Sequence, residues 1–140
     1  MIIRILWALL ALFLAGFLIY ESVKYGWAMG GTVIVFALLP DAALIAAFDR
    51  NRPGMLRPRR VRFYNLMHRP WAALVLLLSG ALLVLPPVGG VDDGGKLVAV
   101  AGLAWLAHIA ADRASGYGLR DAGGAIRPVG GTRRPAWCQA

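Results

Sequence analysis

The sequence has little charge and almost no cysteine. Only 16% of its 140 residues are Asp, Glu, Lys or Arg, whereas a soluble domain carries about 25%. A chain with so few charged side chains cannot cover a globular surface with them, which argues against an ordinary cytosolic enzyme. The single cysteine, Cys138, excludes both a disulfide within the chain and a paired-cysteine metal site.

Known catalytic motifs and repeats are absent as well. The sequence has no HExxH helix, nucleophile elbow, phosphate-binding loop or CxxC pair, and no repeat at solenoid spacing. Seven acidic residues stand against 15 lysines and arginines, so the formal net charge is +8. A nucleic-acid-binding protein would share this charge. However, 59% of the residues are hydrophobic and no aromatic platform lies among the arginines. We therefore expect no nucleic-acid partner and interpret the chain as a small basic membrane protein.

Apolar runs long enough to cross a bilayer dominate the sequence. A hydrocarbon core about 30 Å thick requires a helix of roughly 20 residues. The second span must continue through Pro40 and Asp41, because a helix that stopped at Leu39 would be too short to cross. Pro40 is expected to kink this helix. The first run ends in bulky residues, which is typical of a retained anchor and not of a cleaved signal. The four predicted spans are residues 2–20, 27–48, 63–85 and 96–112.

The distribution of arginine predicts how these spans are oriented. Residues 49–69 contain one acid and seven arginines, which are Arg50, Arg52, Arg57, Arg59, Arg60, Arg62 and Arg69. Positive loops stay in the cytoplasm, so we predict an all-α, polytopic four-helix transmembrane bundle with both termini inside. Residues 1–118 form the membrane domain of this prediction, and residues 119–140 a flexible basic cytoplasmic tail. The segment Arg50–Arg69 is expected to bind anionic lipid headgroups.

Five polar residues lie where the spans should be apolar. They are Asp41, Asn65, His68, His108 and Asp112, and all fall in the predicted cytoplasmic half of the spans or at its edge. Such groups are costly in a membrane unless they are paired or solvated, so they are functional candidates. His108 and Asp112 are four residues apart and share a helix face, as do Asn65 and His68, three apart. Side chains from three spans can then converge if the helices pack together.

Two kinds of role are open to this group. His68, His108 and Asp112 are candidate ligands of a divalent metal, although the sequence requires no cofactor. The same groups could transfer protons, so the candidate catalytic residues are Asp41, His68, His108 and Asp112. The alternative is structural: hydrogen bonds that Asp41 accepts from His68 or Asn65 would hold the helices together. Supporting residues of the cluster are Asn65, Arg113 and Tyr117.

Three short motifs resemble those of a known family. His108 begins the pattern His-x-x-x-Asp-Arg-x-x-Gly-Tyr-Gly-Leu, which ends at Leu119. Leu39-Pro40-Asp41 resembles a Leu-Pro-Asp motif, and residues 64–68 resemble Tyr-Asn-x-x-His. In this order they resemble the small bacterial membrane family of domain of unknown function 4260, over about residues 27–120. The resemblance implies a four-helix integral protein of the bacterial cytoplasmic (inner) membrane and implies no activity.

The sequence departs from the family pattern in two places. After Gly-Tyr-Gly-Leu the family continues with Lys-Tyr-Pro and an Asp-Thr-His segment, but here Arg120 and Asp121 follow and that histidine is missing. A long Arg-rich segment also follows Asp49. If a metal site of the family uses the later histidine, this chain lacks that ligand.

Two functions from different classes follow from the sequence. The first is a non-catalytic structural or accessory membrane protein, with a second copy or another membrane protein as its partner. The alternative is a metal- or acid/base-dependent hydrolase or lipid-modifying enzyme with its His/Asp site at the cytoplasmic face. A transporter is less well supported, because no pair of broken helices is evident. A shared site requires Asp41, His68 and His108 to lie within about 10 Å of one another.

Overall fold

A computed structural model describes residues 1–85 and 93–130. The helices in this part of the chain are α1 (Ile2–Tyr25), α2 (Trp27–Leu38), α3 (Pro58–Met67), α4 (Pro70–Val84) and α5 (Asp93–Ser115), and a 3-10 helix, Leu39–Leu44, follows α2 directly. No strand occurs in these two ranges, only isolated β-bridges. The all-α prediction is therefore confirmed.

Four helical segments of the described chain are long and apolar enough to cross a membrane. They are Ile2–Tyr25, Trp27–Leu44, Pro58–Val84 and Asp93–Ser115. Many large apolar side chains point outward from them, as Leu12 and Trp27 do, which suits a lipid surround. The predicted number of spans is confirmed, and the chain is a multi-pass membrane protein. Helices α1 and α5 both extend beyond the predicted bounds.

The second span does not continue as a kinked α-helix to residue 48. Helix α2 ends at Leu38, and the 3-10 helix Leu39–Leu44 completes the crossing. Pro40 lies in the first turn of this 3-10 helix, where a missing N–H is tolerated. The change of helix type places Asp41 on the turn that faces the rest of the polar cluster.

The third span also differs from its predicted form. It begins at Pro58 and is interrupted at His68 and Arg69, before α4 starts at Pro70. A residue that precedes proline avoids the helical region, and Arg69 is extended, with φ −90° and ψ 133°. His68 therefore lies at the break in the span, where its backbone and ring can face the neighbouring helices.

Helix α5 is the most buried of the four spans and packs against α1, α2 and α4. Glycines allow the closest approach to α4. A methyl group at Gly102 would lie 2.7 Å from the carbonyl oxygen of Ala73 and would collide with the backbone of Leu77. Small residues at helix contacts are the usual means of close packing in a membrane.

Gly102→Ala is therefore expected to destabilise the protein. Overpacking a tight contact costs about 1–3 kcal/mol, so thermal unfolding in detergent micelles should occur several degrees lower. Gly16→Ala is the matched control, because a methyl group there meets nothing within 4 Å. Equal melting temperatures for the two variants would contradict the α4–α5 contact.

Both termini of the described chain and the loop after Asp49 lie at one end of the molecule. Arg4 Nε donates to the carbonyl of Ala114 at 2.9 Å, and the Val129 N–H donates to Gly116. The loop joins them through the Leu56 N–H, which donates to Gly124 at 3.1 Å. The arginine-rich segments that the sequence placed on one side of the membrane therefore share one end.

Residues 119–130, the first part of the predicted flexible tail, form hydrogen-bonded turns that contact the loop after Asp49. Arg120 pairs with Ile126 in a β-bridge, and Asp121 Oδ1 accepts hydrogen bonds from the N–H groups of Gly123 and Ala125. Aspartate and glycine at these spacings form such turns readily, and contact with Leu56 holds the turn in place. The rest of the predicted tail, residues 131–140, and the predicted turn at residues 86–92 lie outside the described residues.

Candidate metal centre

Four polar side chains from three spans meet near the end that carries the termini. Asp41 comes from the 3-10 helix, His68 from the break before α4, and His108 and Asp112 from α5. His68 Nε2 lies 3.7 Å from Asp41 Oδ1 and 3.4 Å from Asp112 Oδ2. His108 Nε2 lies 3.6 Å from each of the same two oxygens. Each imidazole therefore faces both carboxylates.

The hydrogen bonding of His68 fixes which of its nitrogens faces the cluster as an acceptor. Its Nδ1 lies 3.0 Å from the carbonyl oxygen of Tyr64, and a carbonyl can only accept, so Nδ1 carries the hydrogen. In a neutral imidazole Nε2 is then a lone-pair acceptor. The ring is also stacked on Tyr64, with centroids 3.9 Å apart, and only 2% of the side chain is exposed.

The two imidazole nitrogens face the two carboxylates without a hydrogen bond to them. Nε2 of His68 and Nε2 of His108 are both buried and have no hydrogen-bond partner among the described residues. The carboxylate oxygens opposite them are also acceptors. Lone pairs and negative charges at this spacing repel, and a hydrogen or a metal ion between them relieves that repulsion.

The distances fit a metal ion. A tetrahedral ion with ligands at 2.0–2.2 Å has ligand–ligand distances of about 3.3–3.6 Å, and the four distances from an imidazole nitrogen to a carboxylate oxygen in this cluster are 3.4–3.7 Å. The ligand atoms of Asp41, His68 and His108 all lie within 4.8 Å of one another. Imidazole nitrogen with carboxylate oxygen is a donor set that zinc, manganese and iron accept. The bond from His68 Nδ1 to a carbonyl is the usual support of a metal-binding histidine.

The supporting residues named from the sequence have distinct positions. Arg113 joins α5 to the break in the third span, because its Nη2 donates to the carbonyl of His68 at 3.0 Å and its Nη1 to that of Tyr117 at 3.1 Å. Tyr117 lines a cavity beside the cluster. Asn65 lies outside the cluster and instead exchanges two hydrogen bonds of 2.8 Å with the backbone of Arg120.

A cavity of about 380 Å³ adjoins the four-residue cluster. Its size is within the range of small-molecule sites, roughly 300–1,000 Å³. Both carboxylates of the cluster lie in its wall, and the side chain of Asp41 is 49% exposed. A small molecule in the cavity would therefore touch the cluster directly. The lining residues are Asp41, Leu44, Phe48, Gly54, Tyr64, Asp112, Tyr117, Arg120 and Ile126.

One charged residue of this cavity was not predicted from the sequence. Arg120 was assigned to the flexible tail, but it is 7% exposed and lies in the cavity wall. The aspartate and glycines that follow it form the turn which returns the chain to Leu56. That turn was the available signal, since turn residues of this kind indicate local order.

Comparison with known proteins places the chain in a family. The family model described as Domain of unknown function (DUF4260) matches residues 6–125. This range contains the whole cluster and Arg120. No curated protein and no solved structure matches the chain. The resemblance seen in the sequence is confirmed, and the chain belongs to the family of domain of unknown function 4260.

Proposed function

We propose that this protein is a metal-dependent membrane hydrolase. Its divalent metal is held by His68, His108 and Asp112. Asp41 lies on the cavity side and leaves the fourth metal position to water. The observation that carries the proposal is a pair of buried imidazole nitrogens that face two carboxylates at 3.4–3.7 Å and have no hydrogen-bond partner among the described residues. A cavity against these carboxylates gives a substrate access to the site.

The division of roles follows from distance and exposure. Asp112 makes the shortest contact of the cluster, 3.4 Å to His68 Nε2, and is 25% exposed, whereas Asp41 is 49% exposed and makes the longest, at 3.7 Å. Three protein ligands with a fourth position open to water are typical of catalytic zinc. A bound metal lowers the pKa of water and polarises the bond to be cleaved. Asp41 then accepts the proton of the attacking water.

Dependence of hydrolysis on the metal tests this function. The purified protein is placed in nanodiscs of bacterial lipids, and the products are measured by mass spectrometry with metal, after chelation and after metal is restored. We expect products with metal, none after chelation, and recovery on restoration. Formation of products after chelation would contradict a metal-dependent hydrolase, and no products at full metal occupancy would contradict bacterial lipids as its substrates.

A non-catalytic role is the second candidate. It is favoured by the fact that the cluster contains four protein groups, the number that closed structural zinc sites use. In that case the metal would join the second, third and fourth spans and stabilise a structural or accessory subunit that binds a second copy or another membrane protein. Asp41 separates the two candidates, because it is a fixed ligand in the structural site and a proton acceptor in the catalytic one.

The end that carries the metal centre is proposed to face the cytoplasm of a bacterial inner membrane. The seven arginines of residues 49–69 support this orientation through the positive-inside rule. These arginines would also attract anionic headgroups to the start of the third span.

Cysteine labelling tests the orientation. In a Cys138→Ser background, Asn51→Cys is expected to react with a membrane-impermeant maleimide only after the cells are permeabilised. Asp93→Cys is the matched probe for the opposite end, because its side chain is 90% exposed, and it should react in intact cells once the outer membrane is opened. The reverse pattern would overturn the proposed orientation.

A further inference from the structure

Arg120 is a buried cation without an acidic partner in the described part of the chain. It is 7% exposed, and among the residues that the structure describes no carboxylate oxygen lies within 4.0 Å of its guanidinium. Arginine stays charged under all ordinary conditions. A buried charge is costly unless an opposite charge or sufficient dipoles compensate it. The residue therefore needs a partner that the described chain supplies only in part.

The contacts of Arg120 hold it in place and leave donor capacity unused. Its Nη1 donates to the carbonyl oxygens of Gly54 at 2.7 Å and Gly124 at 2.9 Å. The guanidinium carbon also lies 5.3 Å from the ring centroid of Tyr64 and 6.0 Å from that of Phe48. Its Nε is buried and has no hydrogen-bond partner among the described residues. Carbonyls and aromatic faces orient the group without neutralising it.

The same cavity contains Arg120 and the two carboxylates of the metal centre. Tyr64 links them, since its ring contacts both the guanidinium and the His68 imidazole, the latter at 3.9 Å. A divalent ion would balance the charges of Asp41 and Asp112. Arg120 then remains as a positive charge at the cavity, so the cavity favours an anionic solute.

We propose that Arg120 binds the phosphate group of the substrate, so that the hydrolysed compounds are phosphate esters. This assignment rests on the proposed function. The planar guanidinium fork matches phosphate oxygens, and a cation opposite a metal ion is the usual arrangement around a reacting phosphoryl group. Water adds to phosphorus as the ester P–O bond breaks, and the proton that Asp41 takes from the water passes to the departing alcohol. The phosphate could belong to a lipid headgroup or to a soluble ester.

Binding of inorganic phosphate tests the role of Arg120. We expect Arg120→Gln to weaken phosphate binding to the zinc-loaded protein by at least tenfold, measured by calorimetry in detergent, with unchanged zinc content. Arg120→Lys should lose less, because it keeps the charge without the fork. Arg127→Gln is the matched control, since Arg127 is an exposed arginine of the same segment, and it should bind phosphate as the wild type does.

The outcomes separate this inference from the function on which it rests. Equal phosphate affinity in wild type and Arg120→Gln, at full zinc content, would overturn the phosphate subsite and leave the metal centre standing. If the wild type binds no zinc, the metal centre is overturned. Even in that case, weaker phosphate binding by Arg120→Gln than by the wild type would support the subsite. If Arg120→Gln unfolds, Arg120→Lys decides. Recognition by the guanidinium fork would be contradicted if Arg120→Lys binds phosphate as tightly as the wild type and if acetate competes with phosphate equally well in both proteins.

A further comparison identifies the source of the phosphate. Phosphatidylcholine vesicles containing phosphatidic acid are one substrate, and glycerol 3-phosphate in solution is the other. Release of phosphate from the vesicles alone supports a lipid headgroup, and release from glycerol 3-phosphate alone supports a soluble ester. Release from neither, by a zinc-loaded wild type that binds phosphate, would contradict phosphate esters as the substrates.

Discussion

Replacement of either histidine, His68→Ala or His108→Ala, is expected to lower metal affinity by more than about 100-fold, because loss of a supporting contact alone costs 10–100-fold. Each substitution removes one of the two nitrogen ligands that face the carboxylates. The affinity is measured by competition with a chromophoric chelator in detergent. Hydrolysis should be lost in parallel.

Asp93→Asn is the matched control for this experiment. Asp93 lies on the same helix as His108, near the opposite end, and pairs only with Lys96 at 3.2 Å among the ion pairs of the described residues. Its metal affinity should equal that of the wild type. Equal affinity for zinc in the wild type and both histidine variants would mean that the metal binds elsewhere.

Asp41→Asn is expected to retain the metal and to lose hydrolysis. Asparagine fills the same space but cannot accept the proton of the attacking water. Removal of a general base lowers the rate by about 10²–10⁴-fold. The zinc content of the variant is measured with its turnover, so that the two effects are separated. The melting temperature should change little, because this side chain is half exposed.

The opposite result would favour the structural candidate. If Asp41 is a fixed fourth ligand, Asp41→Asn should lose zinc and melt at a lower temperature, as the histidine variants do. Unchanged turnover of Asp41→Asn at full zinc content would show that Asp41 does not act in the reaction. Asp49→Asn serves as the control, because Asp49 bonds to Arg52 and Asn51 outside the cluster. Its neighbours already hold the pKa of Asp49 below its ordinary value through these hydrogen bonds.

The spans could be predicted from the sequence because their length and apolar content are set by the bilayer. Their internal breaks were only partly predictable. Pro40 indicated a disturbance in the second span, but whether proline kinks an α-helix or begins a 3-10 helix depends on its neighbours. Arg69-Pro70 likewise interrupts the third span, between α3 and α4.

The candidate site illustrates the same limit. His108 and Asp112 share a helix face by their spacing, so their proximity could be predicted. Their contact with Asp41 and His68 depends on how three spans pack, which spacing within a helix does not determine. Arg120 was missed because its position in a Gly- and Arg-rich segment suggested disorder. The later histidine of the family pattern is missing here, and the four-residue cluster forms without it.

X-ray absorption at the zinc edge tests the central claim most directly. The wild type is loaded with zinc, freed of unbound metal and measured beside the His68→Ala/His108→Ala double variant. We expect about one zinc per chain in the wild type, with two imidazole nitrogens and carboxylate or water oxygens at about 2.0–2.2 Å, and no bound zinc in the double variant. A wild type that retains no zinc, or zinc without imidazole ligands, would contradict the metal centre.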